Sequence, residues 1–382
     1  MAKLLDGVEV EWKPLSYGKD KITELRRGRV ISKIYLVENS GNFPVYSSQT
    51  KNNGEIGKIN SFDFDGEYVS WTTDGANAGT IFHRTGKFSI TNVCGLIKIN
   101  NEKQLNYKFL FYWLSIVAKK YVYSGMGNPK LMSNQIEKVL IPIPPLTIQA
   151  EIVNILDTFT ELTAELTAEL TARKQQYNYY RDKLLSFEEG EVEWKSLEEI
   201  AEYSKTRINF DQLNKNNYVG VNNLLQNRAG KTESDHVPTD GNSTKYHYND
   251  ILIGNIRPYL KKIWHADSIG GTNGDVLVIH PTDKTVNPRY LYHILADEKF
   301  FTYNMKHAKG AKMPRGNKAK IMEYSFLIPK DETEQARIVT ILDKFDTLIN
   351  SINEGLPREI TLRQQQYQYY REQLLSFRKF KD

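Results

Sequence analysis

The sequence predicts a mixed α/β chain: two globular α/β blocks separated by a long antiparallel coiled-coil helix pair, with an internal pseudo-twofold repeat. Three observations predict it. Near-identical segments recur in the two halves, apolar residues inside them return every three or four positions, and dissimilar strand-rich blocks precede each copy.

The repeats come first because they fix the organisation. IQAEIVNILDTF at 148–159 matches EQARIVTILDKF at 334–345, and QQYNYYRDKLLSF at 175–187 matches QQYQYYREQLLSF at 365–377. A third pair, VEWKPL at 10–15 and VEWKSL at 192–197, opens the two halves. The order implies segments 1–147, 148–187, 188–331 and 332–382: block, repeat, block, repeat. Similar repeats beside dissimilar blocks imply one scaffold carrying two heads that recognise different things.

Each repeat reads as helix. In the first copy Ile152, Ile155, Leu156, Phe159, Leu162, Leu166, Leu170, Tyr177, Tyr180 and Leu184 form one apolar stripe, uninterrupted by Gly or Pro. Roughly 40 residues at 1.5 Å each make a rod of about 60 Å. A helix of that length needs a partner for its stripe, and the other repeat is the expected one, packed antiparallel. The second copy breaks at Gly355-Leu356-Pro357, a helix stop followed by a first-turn proline. The unit TAEL occupies 163–166 and again 167–170, and its period of four keeps Leu on one face.

The blocks alternate strands and helices. Strand patterns at 67–73, 94–99, 250–256 and 275–280 are separated by Gly- and Asn-rich turns. An aromatic helix follows in each block, at 106–122 and 287–305, and each block closes on a hydrophobic strand ending in proline, VLIPIPPL or FLIP. The helix aromatics are expected in the core.

Composition narrows the class. No apolar run reaches about 18 residues, and the first residues lack a secretory stretch, so a cytoplasmic protein without membrane contact is expected. Cys94 is the only cysteine, expected buried, which leaves no disulfide framework and no cysteine-based zinc cluster. Charge is uneven. Residues 299–320 hold seven basic side chains and no acid, and 103–136 hold five lysines and no acid. Acid-free basic stretches at corresponding places in each half point to a polyanion.

Catalytic motifs fail on inspection. Gly230-Lys231-Thr232 imitates the end of a phosphate-binding loop, but Leu225 stands where that loop needs glycine. Asn287-Pro288-Arg289-Tyr290 imitates the Asn-Pro-Pro-Tyr of adenine methyltransferases with the second proline replaced, and reads instead as a helix cap. The seven histidines show no ligand spacing, so no metal site is expected. No G-x-S-x-G elbow and no nuclease carboxylate cluster is present. The expectation is a chain with no catalytic residues.

Two divergent blocks, each closing on an IPIPP- or LIP-type strand, then an E/Q-x-x-I-V-x-I-L-D helix and a Q-Y-x-Y-Y-R-x-x-L-L-S-F ending, resemble the specificity subunits of type I restriction–modification enzymes over the whole chain. The TAEL units resemble those of the type IC branch. The resemblance implies that each block is a target recognition domain for one half of a split double-stranded DNA site. It implies that the helices dock two modification subunits, which carry S-adenosylmethionine and methylate adenine. Restriction subunits join for cleavage driven by ATP and Mg, so no cofactor belongs to this chain. The opposing classes, a self-contained methyltransferase or nuclease and a coiled-coil scaffold that ignores DNA, leave respectively the failed motifs and the basic stretches unexplained.

The DNA-contacting residues follow from chemistry, not from the resemblance. Phosphates need Lys and Arg on loops or helix ends, and base edges need Arg, Asn, Gln, Lys, Thr or Ser. In block one these are Lys51 and Asn52, Thr72, Thr73 and Asn77 on turns after aromatic strands, and Lys130 in a Gly-Asn-Pro-Lys turn. In block two they are Asn255, Arg257 and Tyr259 after a strand, with Lys309, Lys312, Arg315 and Lys318 in a Gly-punctuated loop. The partner surfaces are the near-identical tyrosine runs, Tyr177, Tyr179 and Tyr180 in one copy and Tyr367, Tyr369 and Tyr370 in the other.

Overall fold

A computed structural model describes residues 4–18, 21–125, 127–187, 190–350 and 354–377. The chain condenses into two units. One comprises Met1–Leu162 with Gln364–Asp382, the other Thr163–Arg363. Each unit therefore joins one block to the opening half of one repeat and the closing half of the other. The division falls inside a single helix, Leu146–Leu184, rather than at the repeat edges at 147 and 187. The expected domain start at 188 lies outside the described residues.

The first unit is built on a six-stranded sheet in the order Thr23–Arg27, Cys94–Ile99, Phe64–Thr72, Ile81–Ile90, Ser40–Tyr46, Glu55–Ile59. Phe64–Thr72 lies between two antiparallel partners. Its inner end is buried on both faces, so Ser70 and Thr72 are enclosed with Val69 and Trp71. Trp71 donates its indole N–H to the Leu131 carbonyl at 2.9 Å. Gly95 lies against it, and a Cβ there would stand 2.1 Å from the indole, so no other residue fits. The aromatic helix is Tyr107–Val117, capped by Asn106, with Phe109, Leu110, Tyr112, Trp113 and Leu114 buried. Cys94 is buried, which pushes its thiol up to about 11.

The second unit uses smaller sheets. One runs Ala201–Tyr203, Val276–Pro281, Ile251–Gly254, Ile263–His265; the other Arg207–Asn209, Asn242–Tyr246, Gly270–Thr272, Tyr218–Val219. The single helix expected at 287–305 is two, Pro288–Leu295 and Glu298–Lys306. Asp297 separates them: its carboxylate caps the second helix by accepting the Lys299 N–H at 2.7 Å. Asn287 caps the first, accepting from the Arg289 and Tyr290 amides, with Pro288 in the first turn. The methyltransferase-like tetrapeptide is thus a helix start.

The repeat is visible in atomic detail. Each VEWK segment is a strand, Glu11–Pro14 or Val192–Ser196, paired antiparallel with the strand that closes its block, Leu140–Ile143 or Ser325–Pro329. Gln149 and Gln335, at equivalent positions, are buried and make the same bonds. Gln149 accepts from the Asn106 amide at 2.9 Å and donates to the Gln104 and Pro144 carbonyls. Gln335 accepts from the Asn287 amide at 2.8 Å and donates to the Thr285 and Pro329 carbonyls. Asp157 takes Lys108 and Tyr112; its counterpart Asp343 takes Arg289 and His293. Burial holds the His293 imidazole below its usual value.

The repeat helices seat their own blocks. In the first unit Ile152 and Leu156 are fully enclosed, Phe159 stacks on Tyr370 at 5.2 Å, and Phe377 packs against Phe109 and Trp113. Two fully buried aliphatic side chains contribute about 1.5–3 kcal/mol each. In the second unit Tyr177 and Tyr180 pack on Phe345. Between these contacts the stripe thins, and Leu162 is exposed. The closing repeat is two helices, Glu332–Asn350 and Gly355–Leu374, with 351–353 outside the described residues. Gly355 has φ +71°, and a Cβ there would press on the Thr347 and Leu348 carbonyls at 2.6 Å, so this left-handed position at the start of the second helix admits only glycine. Among the described residues no helix is long and apolar enough to cross a membrane.

Candidate nucleic-acid interface

In the first unit the predicted residues fall on three neighbouring turns. Lys51–Gly54 is a tight turn in which Asn52 and Asn53 adopt left-handed φ of 50° and 52°. Such backbone is sparsely populated outside glycine, and asparagine tolerates it best. Arg84 fixes the turn from beneath. Its buried guanidinium donates to the Asn53 carbonyl at 2.8 Å and the Ser70 hydroxyl at 3.1 Å, and lies over Tyr46 and Phe82. Burial brings its pKa down to about 10, so it stays charged at neutral pH. Lys51 and Asn52 are consequently held exposed on a rigid base.

The second and third turns are joined. Gly75 donates to the Pro129 carbonyl at 3.0 Å, Leu131 to the Thr73 carbonyl at 2.9 Å, and Lys130 sits 3.9 Å from Asp74. Asn77 reaches the Ser48 carbonyl at 3.5 Å, which links them to the first turn. Thr72 and Thr73 are a correction. Both are fully buried; Thr72 donates its hydroxyl to the Asn77 carbonyl and Thr73 to Asp74, so they shape the turn and do not face solvent. The sequence reading overlooked Tyr123, which is exposed and pairs its backbone with Lys130 by bonds of 2.9 and 2.8 Å.

In the second unit the structure zips two distant loops together. Gly316 donates to the Asn255 carbonyl at 3.1 Å, and Arg257 to the Pro314 carbonyl at 2.7 Å. Lys309 and Arg315 exchange backbone bonds of 2.9 and 2.8 Å, which turns the basic stretch into a hairpin. Arg257 and Lys261 both have φ of 52° and flank the turn Pro258–Leu260, strain maintained by these cross-loop bonds. Arg257, Tyr259, Lys309, Lys312, Arg315 and Lys318 are exposed, and Arg315 also meets Asp275 at 3.4 Å. Partial burial and, secondarily, the Arg257 charge hold the Lys262 amine below its usual value. Asn255 is the second correction: its side chain is buried under Gly316, so it supports the loop from inside. In Gly230-Lys231-Thr232 the Lys231 amine lies over the Trp264 ring, 5.1 Å from its centre.

The tyrosine runs divide by exposure. Tyr179 and Tyr369 are 63% and 60% exposed, whereas Tyr177 is 3% exposed and Tyr180 and Tyr370 are stacked on phenylalanines. Tyr367 packs against the first unit's core. Tyr177 accepts from Arg181 at 2.8 Å, and Arg181 in turn meets Asp297 at 2.7 Å and the His293 carbonyl. Tyr177 and Tyr367 are therefore occupied in seating their own blocks, whereas Tyr179 and, in part, Tyr180 of the first run and Tyr369 of the second face solvent. The structure also gathers His247, Asp250 and His280, which sequence spacing did not reveal.

The sequence model of the type I restriction modification DNA specificity domain matches residues 10–173 and again 189–362, the two halves of the repeat. The chain is 33% identical over 379 residues to a putative type I specificity subunit, S.MpnORF507P, of Mycoplasma pneumoniae, covering 95% of this chain and 97% of that one. It is 35% identical over 408 residues to the EcoR124I/EcoR124II specificity subunit of Escherichia coli, covering 99% and 97%. The crystal structure of a type I system S subunit from M. genitalium shares the fold, with TM-score 0.65 and 98% coverage of both chains at 16% identity. Matched twice over by that domain and aligned end to end with such subunits, this chain belongs to the type I restriction–modification specificity subunit family.

Proposed function

We propose that this chain reads a bipartite site in double-stranded DNA, one half with each block, and docks two modification subunits and, for cleavage, restriction subunits. A specificity subunit is the recognising, non-catalytic member of its enzyme. S-adenosylmethionine, ATP and Mg then belong to the partners, and the complex works on cytoplasmic DNA.

The observation that carries this reading is the paired, pre-set loops. In each unit, basic and polar side chains from segments distant in sequence stand exposed on turns fixed by backbone bonds and left-handed residues. Lys51, Lys130, Lys309, Lys312, Arg315 and Lys318 supply phosphate contacts. Asn52, Asn77 and Arg257 have the donor and acceptor edges for bases, and Tyr259 and the overlooked Tyr123 offer flat faces and hydroxyls beside them.

The docking surfaces are the exposed strips around Tyr179 and Tyr369, alike in sequence and so suited to one partner bound twice. Native mass measurement of the reconstituted complex tests this. The wild-type chain should carry two modification subunits, and Tyr179→Ala should lose one while its melting temperature holds. Tyr177→Ala should instead loosen the second unit, because its ring is core. A stable one-to-one wild-type complex, or two subunits retained by Tyr179→Ala together with Tyr369→Ala, would contradict the assignment.

A further inference from the structure

We propose that His247, Asp250 and His280 form a binding site for a divalent transition-metal cation of the zinc type. The three ligand atoms lie within 4.8 Å of one another. The His280 Nδ1 stands 2.6 Å from one Asp250 oxygen, and the His247 Nδ1 stands 3.8 Å from the other. A tetrahedral zinc about 2.0–2.2 Å from each ligand separates ligand atoms by roughly 3.3 Å. With all three ligand atoms inside 4.8 Å, rotation of the imidazole side chains would bring them onto one ion.

The fold builds this cluster rather than leaving it to chance on a surface. Asp250 is completely buried where the strand Ile251–Gly254 begins. Asn249 before it takes a left-handed φ of 68°, and the His247 amide donates to the Asp250 carboxylate at 2.8 Å. His280 comes from the adjacent strand Val276–Pro281, and His247 follows Asn242–Tyr246 of the other sheet. A shared cation would therefore fasten the two sheets of the second unit to each other.

The donor set selects the ion. Two imidazoles and one carboxylate suit Zn, Ni or Co, whereas Mg and Ca favour sites made of oxygen alone. A carboxylate removed from water needs a nearby positive charge. Among the described residues the ion-pair partners of Asp250 are these two histidines alone. Both rings are partly exposed, 36% and 44%, which leaves an entry path and open coordination positions.

Calorimetric titration of the tag-free, chelator-treated full chain with zinc decides the matter, read beside thermal unfolding. The wild type should show saturable single-site uptake and a melting temperature that climbs with zinc. His280→Gln and His247→Gln should each weaken zinc by at least about tenfold. If His280→Gln fails to fold, His247→Gln decides alone, since its ring lies outside the Asp250–His280 hydrogen bond. No saturable uptake by the folded wild type, or undiminished affinity in folded His247→Gln, overturns the proposal.

Discussion

Arg181→Ala destabilises the second unit by about 3–5 kcal/mol. Arg181 belongs to the closing half of the first repeat, yet its guanidinium is sunk in the second unit, with side-chain exposure of 3% against 12% for its partner Asp297. It also donates to the Tyr177 hydroxyl and the His293 carbonyl. Truncation leaves the Asp297 charge uncompensated at the junction of two helices, and that penalty dominates over the lost attraction. Removing both charges should therefore cost less than removing one. Asparagine can still cap Glu298–Lys306, so Arg181→Met with Asp297→Asn should recover much of the loss. Hydrogen exchange checks this directly: Arg181→Ala should lower protection across Thr163–Arg363, the double variant less so. Equal protection in Arg181→Ala and wild type would contradict the ledger of charges.

Changing Lys309, Lys312, Arg315 and Lys318 together to glutamine weakens DNA binding on the order of a thousandfold at about 0.1 M salt. Each phosphate contact contributes about 0.9 to the slope of log affinity against log salt. Arg315 is partly engaged by Asp275, so a slope reduced by about 3 is expected. The hairpin should survive, because its register rests on backbone bonds between Lys309 and Arg315 and on Arg257 to Pro314, not on the altered side chains. Affinity measured across a salt series separates the outcomes. An unchanged slope would mean that this loop is merely solvated.

What was legible in the sequence were the features set by local pattern and self-similarity. The 3.6-residue stripe fixed the long helix to within a few residues, and the paired VEWK segments marked strands that close each block. Register was not legible. Thr72 and Thr73 look like polar residues at a strand end, but the central position of Phe64–Thr72 buries that end on both faces and turns their hydroxyls inward. Tyr177 shares its motif with Tyr179, yet two positions along a helix change the facing side, and one points at Phe345 while the other meets solvent. The pairing of Arg257 with the basic loop, and of His247 with His280, depends on strands that meet only in three dimensions. No spacing rule carries such contacts.

Methylation mapping bears most directly on the central claim. The wild-type chain, combined with its modification subunit, should mark adenines in a motif of two half-sites separated by a fixed unread gap. One further TAEL unit after Leu170 lengthens the helix Leu146–Leu184 by about 6 Å and turns it by about 40°. A base pair rises about 3.4 Å and turns about 34–36°. The insertion variant should keep both half-sites and widen the gap by one base pair. A contiguous motif in the wild type, or new half-site sequences in the variant, would contradict a two-headed reader spaced by its helix.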